Sequence, residues 1–110
     1  MTYDAIKNVL EKAGLSTYYR EDNQTLICSS SEWPNVPQSA NSFWVAERGS
    51  AWYVATWLPH VYRVGDSARI PELCITVLRE KPKPAQYDFD DHIKAEFQLT
   101  EVDPDELPDD

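Results

Sequence analysis

Glycine is scarce in this chain, with three copies in 110 residues, and basic residues are outnumbered ten to nineteen by acidic ones. The first shortage argues against phosphate cradles and nucleophile elbows. No Gly-rich loop precedes a candidate helix, and no serine sits in a Gly-x-Ser-x-Gly turn. The second disfavours nucleic acid as a partner, because no basic patch is present to neutralise phosphates. Histidine occurs twice, at His60 and His92, neither with a partner at helical spacing, so no metal site is expected. Cysteine also occurs twice, at Cys28 and Cys74, without a Cys-x-x-Cys pair. Both fall on apolar patterns and are expected to be reduced core thiols. No apolar run approaches the roughly 18 residues of a membrane span, and no charged and apolar leader pattern opens the chain. A soluble cytoplasmic protein with no membrane partner and no cofactor is therefore expected.

What is present is mostly acid, and it is unevenly placed. The formal net charge is −9, yet residues 1–60 hold four Lys/Arg against six Asp/Glu, and residues 61–80 balance. Residues 81–110 hold three against ten. The folded body is thus nearly neutral along the sequence, and the acidity belongs to the C-terminal segment. Its last eight residues, 103–110, contain five acids and two prolines around a single Leu107. Such a segment has too little apolar area to order itself, so a disordered tail is expected after a single domain over 1–102. A chain of this length buries about 65% of its unfolded surface without disulfide or metal support.

The elements can be read from apolar spacing. Ile6, Val9, Leu10 and Ala13 form one stripe between the N-cap candidate Thr2 and Gly14, which predicts a helix over 3–13. Residues 17–20 and 25–29 flank the turn-forming Glu21-Asp22-Asn23-Gln24 and read as a hairpin. Residues 30–41, with Pro34, Pro37 and the lone Trp33, read as a long loop. Ile70, Leu73, Cys74, Val77 and Leu78 predict a second helix over 70–80, with Pro71 in its first turn. Asp88 as N-cap, with Asp90 and Asp91 in the first turn, predicts a short helix over 89–97, then a strand over 98–102. Together these give an α+β fold, an antiparallel sheet of four to five strands with helices packed on one face as a two-layer sandwich.

The segment 42–58 carries the functional reading. A II′ turn at Gly49-Ser50 sets Glu47 opposite Trp52, Ala46 opposite Tyr53, Val45 opposite Val54, Trp44 opposite Ala55 and Ser42 opposite Trp57. One face then holds Phe43, Val45, Trp52 and Val54, and the other Trp44, Tyr53 and Trp57. Both faces are apolar, whereas two helical stripes cover only one. The face of Phe43 and Trp52 is assigned to the core, and Trp44, Tyr53 and Trp57, with Trp33 as an extension, to a protein partner or a homodimer, although nothing in the pattern itself fixes which face meets the helices and the two assignments exchange if the faces are reversed. A small enzyme or ligand-binding protein with a cleft near His60, Tyr62 and Arg63 is the alternative. No residue pattern is specific enough to name a family, and size, acidity and element order are common to many folds.

Overall fold

The computed structural model describes residues 1–31, 41–56, 60–80 and 88–106. Helix α1 (Tyr3–Lys12) starts where Thr2 Oγ1 accepts the Ala5 amide at 3.1 Å and ends with Gly14 and Leu15 returning to the carbonyls of Glu11 and Leu10. Both ends are therefore satisfied chemically, as the sequence predicts. Strands β1 (Ser16–Arg20) and β2 (Thr25–Ser29) form the first hairpin, and β3 (Ser42–Arg48) and β4 (Ala51–Ala55) the second. The second hairpin has the expected register, from Arg48 opposite Ala51 to Trp44 opposite Ala55. Gly49 supplies φ 62 while Ser50 is not among the positive-φ residues, the combination that distinguishes a II′ turn from a I′ turn. The proposed pairing of Ser42 with Trp57 lies outside the described residues.

Strand β5 (Val61–Val64) was not expected. It pairs with β4 through Ala55–Val61, Val54–Tyr62 and Tyr53–Arg63, and with β6 (Leu99–Val102) on its other side. The sheet consequently has six strands rather than four or five, in the order β1-β2-β3-β4-β5-β6 with every neighbour antiparallel. Helices α2 (Ile70–Leu78) and α3 (Asp91–Glu96) lie between β5 and β6 in sequence. Pro104–Glu106, inside the segment expected to be disordered, form a 3₁₀ turn next to Asp103, whose carboxylate accepts the Asp105 amide at 3.0 Å.

One face of the sheet meets all three helices. Leu26, Cys28, Phe43, Val45, Trp52, Val54, Tyr62 and Val64 form a continuous buried cluster with Ile6 and Leu10 of α1, Leu73 and Val77 of α2, and Ile93 of α3. Phe43 and Trp52 thus lie in the core, on the face to which the sequence assigns them. Polar groups close the seams. Buried Asn41 donates its side-chain amide to the carbonyls of Val77 (3.1 Å) and Glu80 (3.0 Å), satisfying the end of α2 from the start of β3. Tyr3 Oη accepts the Glu47 amide at 2.7 Å and donates to the Gln24 carbonyl at 3.2 Å, so α1 holds the first turn against the end of β3. Burial pushes the Tyr3 phenol up, and the Glu47 amide partly opposes it. Among the described residues no helix is long and apolar enough to cross a membrane.

Candidate functional site

Strand pairing fixes what the other face carries, since directly opposed residues point the same way. Tyr18, Ile27, Trp44, Ala55, Val61 and Val102 are successive partners across all six strands and make one lateral row. Ala46, Tyr53 and Arg63 lie in the adjacent row, and Arg48 faces Ala51. Tyr53, Ala55 and Val61 form a second buried cluster with Trp44, Ala51 and Val102 packed at its margins. This cluster consists of strand residues, whereas α1, α2 and α3 all join the first. Trp44 is half-buried, Tyr53 is 8% exposed, and Tyr18 at the edge is 45% exposed. The structure therefore brings Trp44 and Tyr53 together on the face opposite the helices. Trp33 and Trp57, the other two residues proposed for it, lie outside the described residues.

At the β1–β2 end of this face a cleft of about 300 Å³ is lined by Arg20, Asn23, Thr25, Ile27, Trp44 and Arg48. Arg48 reaches over the turn and donates to the carbonyls of Asn23 (2.6 Å), Gln24 (3.1 Å) and Glu47 (2.7 Å). Arg20 pairs with Asp22, Nη2 to Oδ2 at 2.8 Å and Nε to Oδ1 at 3.3 Å. The Arg20 hydrogen bond holds the exposed Asp22 carboxyl below its ordinary value. Thr25 Oγ1 donates to Asn23 Oδ1 at 2.6 Å.

The residues of the alternative reading are divided by strand alternation. Tyr62 points to the helices and is buried, with its hydroxyl 2.9 Å from both carboxylate oxygens of Asp88. Arg63, the next residue, points to the opposite face and is exposed. His60 Nδ1 lies 3.0 Å from Glu101 Oε2 at the surface. Among the described residues, then, the three do not converge on one cleft.

Two clusters were not legible in the sequence. Asp88 was expected to cap α3, but Asp90 occupies the N-cap position, without a side-chain capping bond. Asp88 instead accepts from Tyr62, from Lys94 Nζ at 3.0 Å and from the Phe89 amide at 2.8 Å. Burial alone raises the Asp88 carboxyl, but hydrogen bonds from Lys94, Tyr62 and the Phe89 amide outweigh it and leave the group below its ordinary value. The same Asp88 hydrogen bond drives Lys94 well above the usual lysine value, and its ammonium lies 5.0 Å from the Tyr62 ring centre. This group seals the edge of the core beside Phe89. The second cluster joins Glu80, Asp90 and His92, whose ligand-capable atoms lie within 4.8 Å of one another, with His92 Nε2 to Glu80 Oε1 at 3.4 Å. Asp90 and His92 are exposed, and the arrangement is that of a surface ion pair.

No protein-family model matches the chain, and neither the curated proteins nor the solved structures contain a match. The functional reading accordingly rests on the geometry of the two faces.

Proposed function

We propose that the protein is a non-enzymatic interaction module that binds a protein partner, or a second copy of itself, through the sheet face opposite its helices. The observation that carries this reading is the lateral row from Tyr18 to Val102. It is apolar in every strand, on a face that none of the described helices covers. A sheet with one face packed and the other solvated ordinarily alternates apolar and polar residues. Here the alternation fails on the outer face: Ile27, Ala55 and Val61 of the row are buried, and exposed Tyr18 with half-buried Trp44 and Val102 are the part a partner would reach, two of them aromatics of the kind enriched at protein interfaces.

The test pairs capture from the native host with mass measurement of the free protein. Wild type and Trp44→Ser are immobilised side by side, and light scattering reports assembly of each in solution. The expected result is a species, or a self-association, that Trp44→Ser loses while its unfolding midpoint stays close to wild type. Capture and assembly identical in the two proteins would remove this face from the function.

A further inference from the structure

The sheet has two edges, and they are not alike. We infer that the β1 edge pairs with the β1 edge of a second copy of this chain, antiparallel about Tyr18, so that two six-stranded sheets join into one. This goes beyond the outer-face reading, because it assigns the second copy to a different surface and leaves the face itself to a protein partner.

Edge strands of monomeric proteins ordinarily carry a lysine, a proline, a bulge or an inward charge that discourages a further strand. Strand β6 has such guards: Glu101 within it pairs with His60, and Asp103 and Pro104 follow it directly. Strand β1 has none. Its residues, Ser16 to Arg20, pair one to one with β2, and its single charge, Arg20, is already bonded to Asp22. Among the described residues no strand lies on its other side, so every second residue there presents backbone N–H and C=O groups outward. Tyr18 and Tyr19 are 45% and 38% exposed, and as consecutive strand residues they stand on opposite faces of the edge. Nor does α1 roof it. Tyr3 reaches inboard to Glu47 of β3 and Trp52 of β4, and a cleft of about 390 Å³ opens between α1 and Tyr19.

An open edge requires a strand as its occupant, and the sequence and charge of this one favour its own copy. Two-fold pairing about Tyr18 sets Ser16 opposite Arg20, Thr17 opposite Tyr19 and Tyr18 opposite Tyr18, large against small around one central aromatic pair. No like charges are opposed. The chain is formally −9, yet residues 1–31 hold three Lys/Arg against four Asp/Glu, whereas residues 81–110, which include β6, hold three against ten. At about 4.8 Å per strand the two edges are roughly 24 Å apart, about three Debye lengths at physiological salt. Copies meeting at β1 therefore keep their acidic segments at the far ends of the joined sheet. Pairing of β1 with β6 of the next copy would instead bring an acidic segment into each contact and build an open chain.

Five residues on each side make a small interface, in the weak class below about 1,200 Å² of total buried area. The test is accordingly sedimentation velocity of the full chain from about 1 μM to about 1 mM, the range in which weak pairs dissociate. The mass should rise from 12.7 kDa toward twice that value and stop there. Tyr18→Lys, on the outer side, and Tyr19→Lys, on the helix side, should each raise the dissociation constant at least about tenfold while the unfolding midpoint at the dilute end stays close to wild type. Trp44→Ser should leave the dimer unchanged. Hydrogen exchange of the wild type should slow in β1 at the concentrated end and not in β6. A monomer throughout, species beyond the dimer, or β1 exchange independent of concentration overturns the inference, even where a tyrosine variant fails to fold. A dimer that Trp44→Ser abolishes, with β1 exchange unchanged, also overturns it and gives the second copy to the outer face. Capture from the native host tests that face separately, so either reading can fail alone.

Discussion

Gly65 is packed so closely against Gln98 that no side chain fits at Gly65 while Gln98 keeps its own. A β-carbon on Gly65 would lie 2.6 Å from Gln98 Cβ and 3.1 Å from its carbonyl oxygen, and the Gly65 amide donates to that carbonyl at 3.1 Å. Gln98 itself sits at φ 54, left-handed backbone that disfavours a side chain. Gly65→Ala should therefore destabilise by about 1–3 kcal/mol through overpacking. Gln98→Gly removes the obstructing Cβ and suits the backbone, so it should be neutral or stabilising by up to about 1 kcal/mol. The informative quantity is the coupling in urea unfolding, where Gly65→Ala should cost much less in the Gln98→Gly background. Additive effects would place the strain elsewhere.

The two sheet faces should respond differently to loss of a tryptophan. Trp52 is 5% exposed and its ring lies 5.0 Å from that of Tyr3, so Trp52→Ala should cost about 3–5 kcal/mol, enough to unfold a marginal domain. Half-buried Trp44 has no helix over it among the described residues, and Trp44→Ala should cost the monomer distinctly less. Equal losses in denaturant titrations would make both faces core and remove the main support for an interaction surface.

Asp88 makes stability depend on acid pH. Its carboxyl is held below the ordinary value in the folded protein, so its contribution is complete above the unfolded pKa of about 3.9 and vanishes as pH falls through the lower folded value. With the side chain about one-third exposed, the contribution should be on the order of 1 kcal/mol. Asp88→Asn should lose this at neutral pH, and its stability profile should be flatter than wild type below about pH 4. Parallel profiles would assign the acid sensitivity to other carboxylates.

Cys28 and Cys74 meet across β2 and α2 as buried free thiols. Burial pushes the Cys74 thiol well above its ordinary value, and the neighbouring Cys28 adds to the effect. Both sulfurs are buried away from reagent, so both should resist Ellman's reagent in the native protein and react as two thiols once it is unfolded. Rapid native labelling would show that α2 opens locally.

The parts of the fold that were legible in the sequence have local causes. Thr2, the stripe of α1 and the turn at Gly49 each act within a few residues, and parity along β3 and β4 was enough to put Trp52 and Trp44 on opposite faces, whereas which face meets the helices is decided by tertiary packing. Strand β5 was missed because Val61-Tyr62-Arg63-Val64 is four residues long between Pro59 and Gly65, so the punctuation outweighed the β-branched and aromatic content. Asp88 was misread as a cap because its partners, Tyr62 and Lys94, come from β5 and α3. The arginine face escaped for a related reason. Charge summed along the chain looks nearly neutral over 1–80, and only the register of six strands reveals that, among strand residues, Arg20, Arg48 and Arg63 share one face while Glu47 and Glu101 share the other.

Strand order in space repeats strand order in sequence, and this bears on the route by which the chain folds. Every sheet pairing joins consecutive strands, and the first four joins span much shorter stretches of chain than the fifth. The contacts that close large loops are those of the helices and of β6: Tyr3 with Glu47 is 44 residues apart, Asn41 with Val77 is 36, and the β5–β6 pairing spans α2 and α3. Loop-closure entropy delays such contacts, so hairpins are expected to form before the helices dock. Folding φ-values near one in β3–β4 and near zero at Tyr3 and Asn41 are the kinetic signature of that sequence of events. On such a route the outer row from Tyr18 to Val61, built from the first four strand pairings, is in register before the core behind it is sealed.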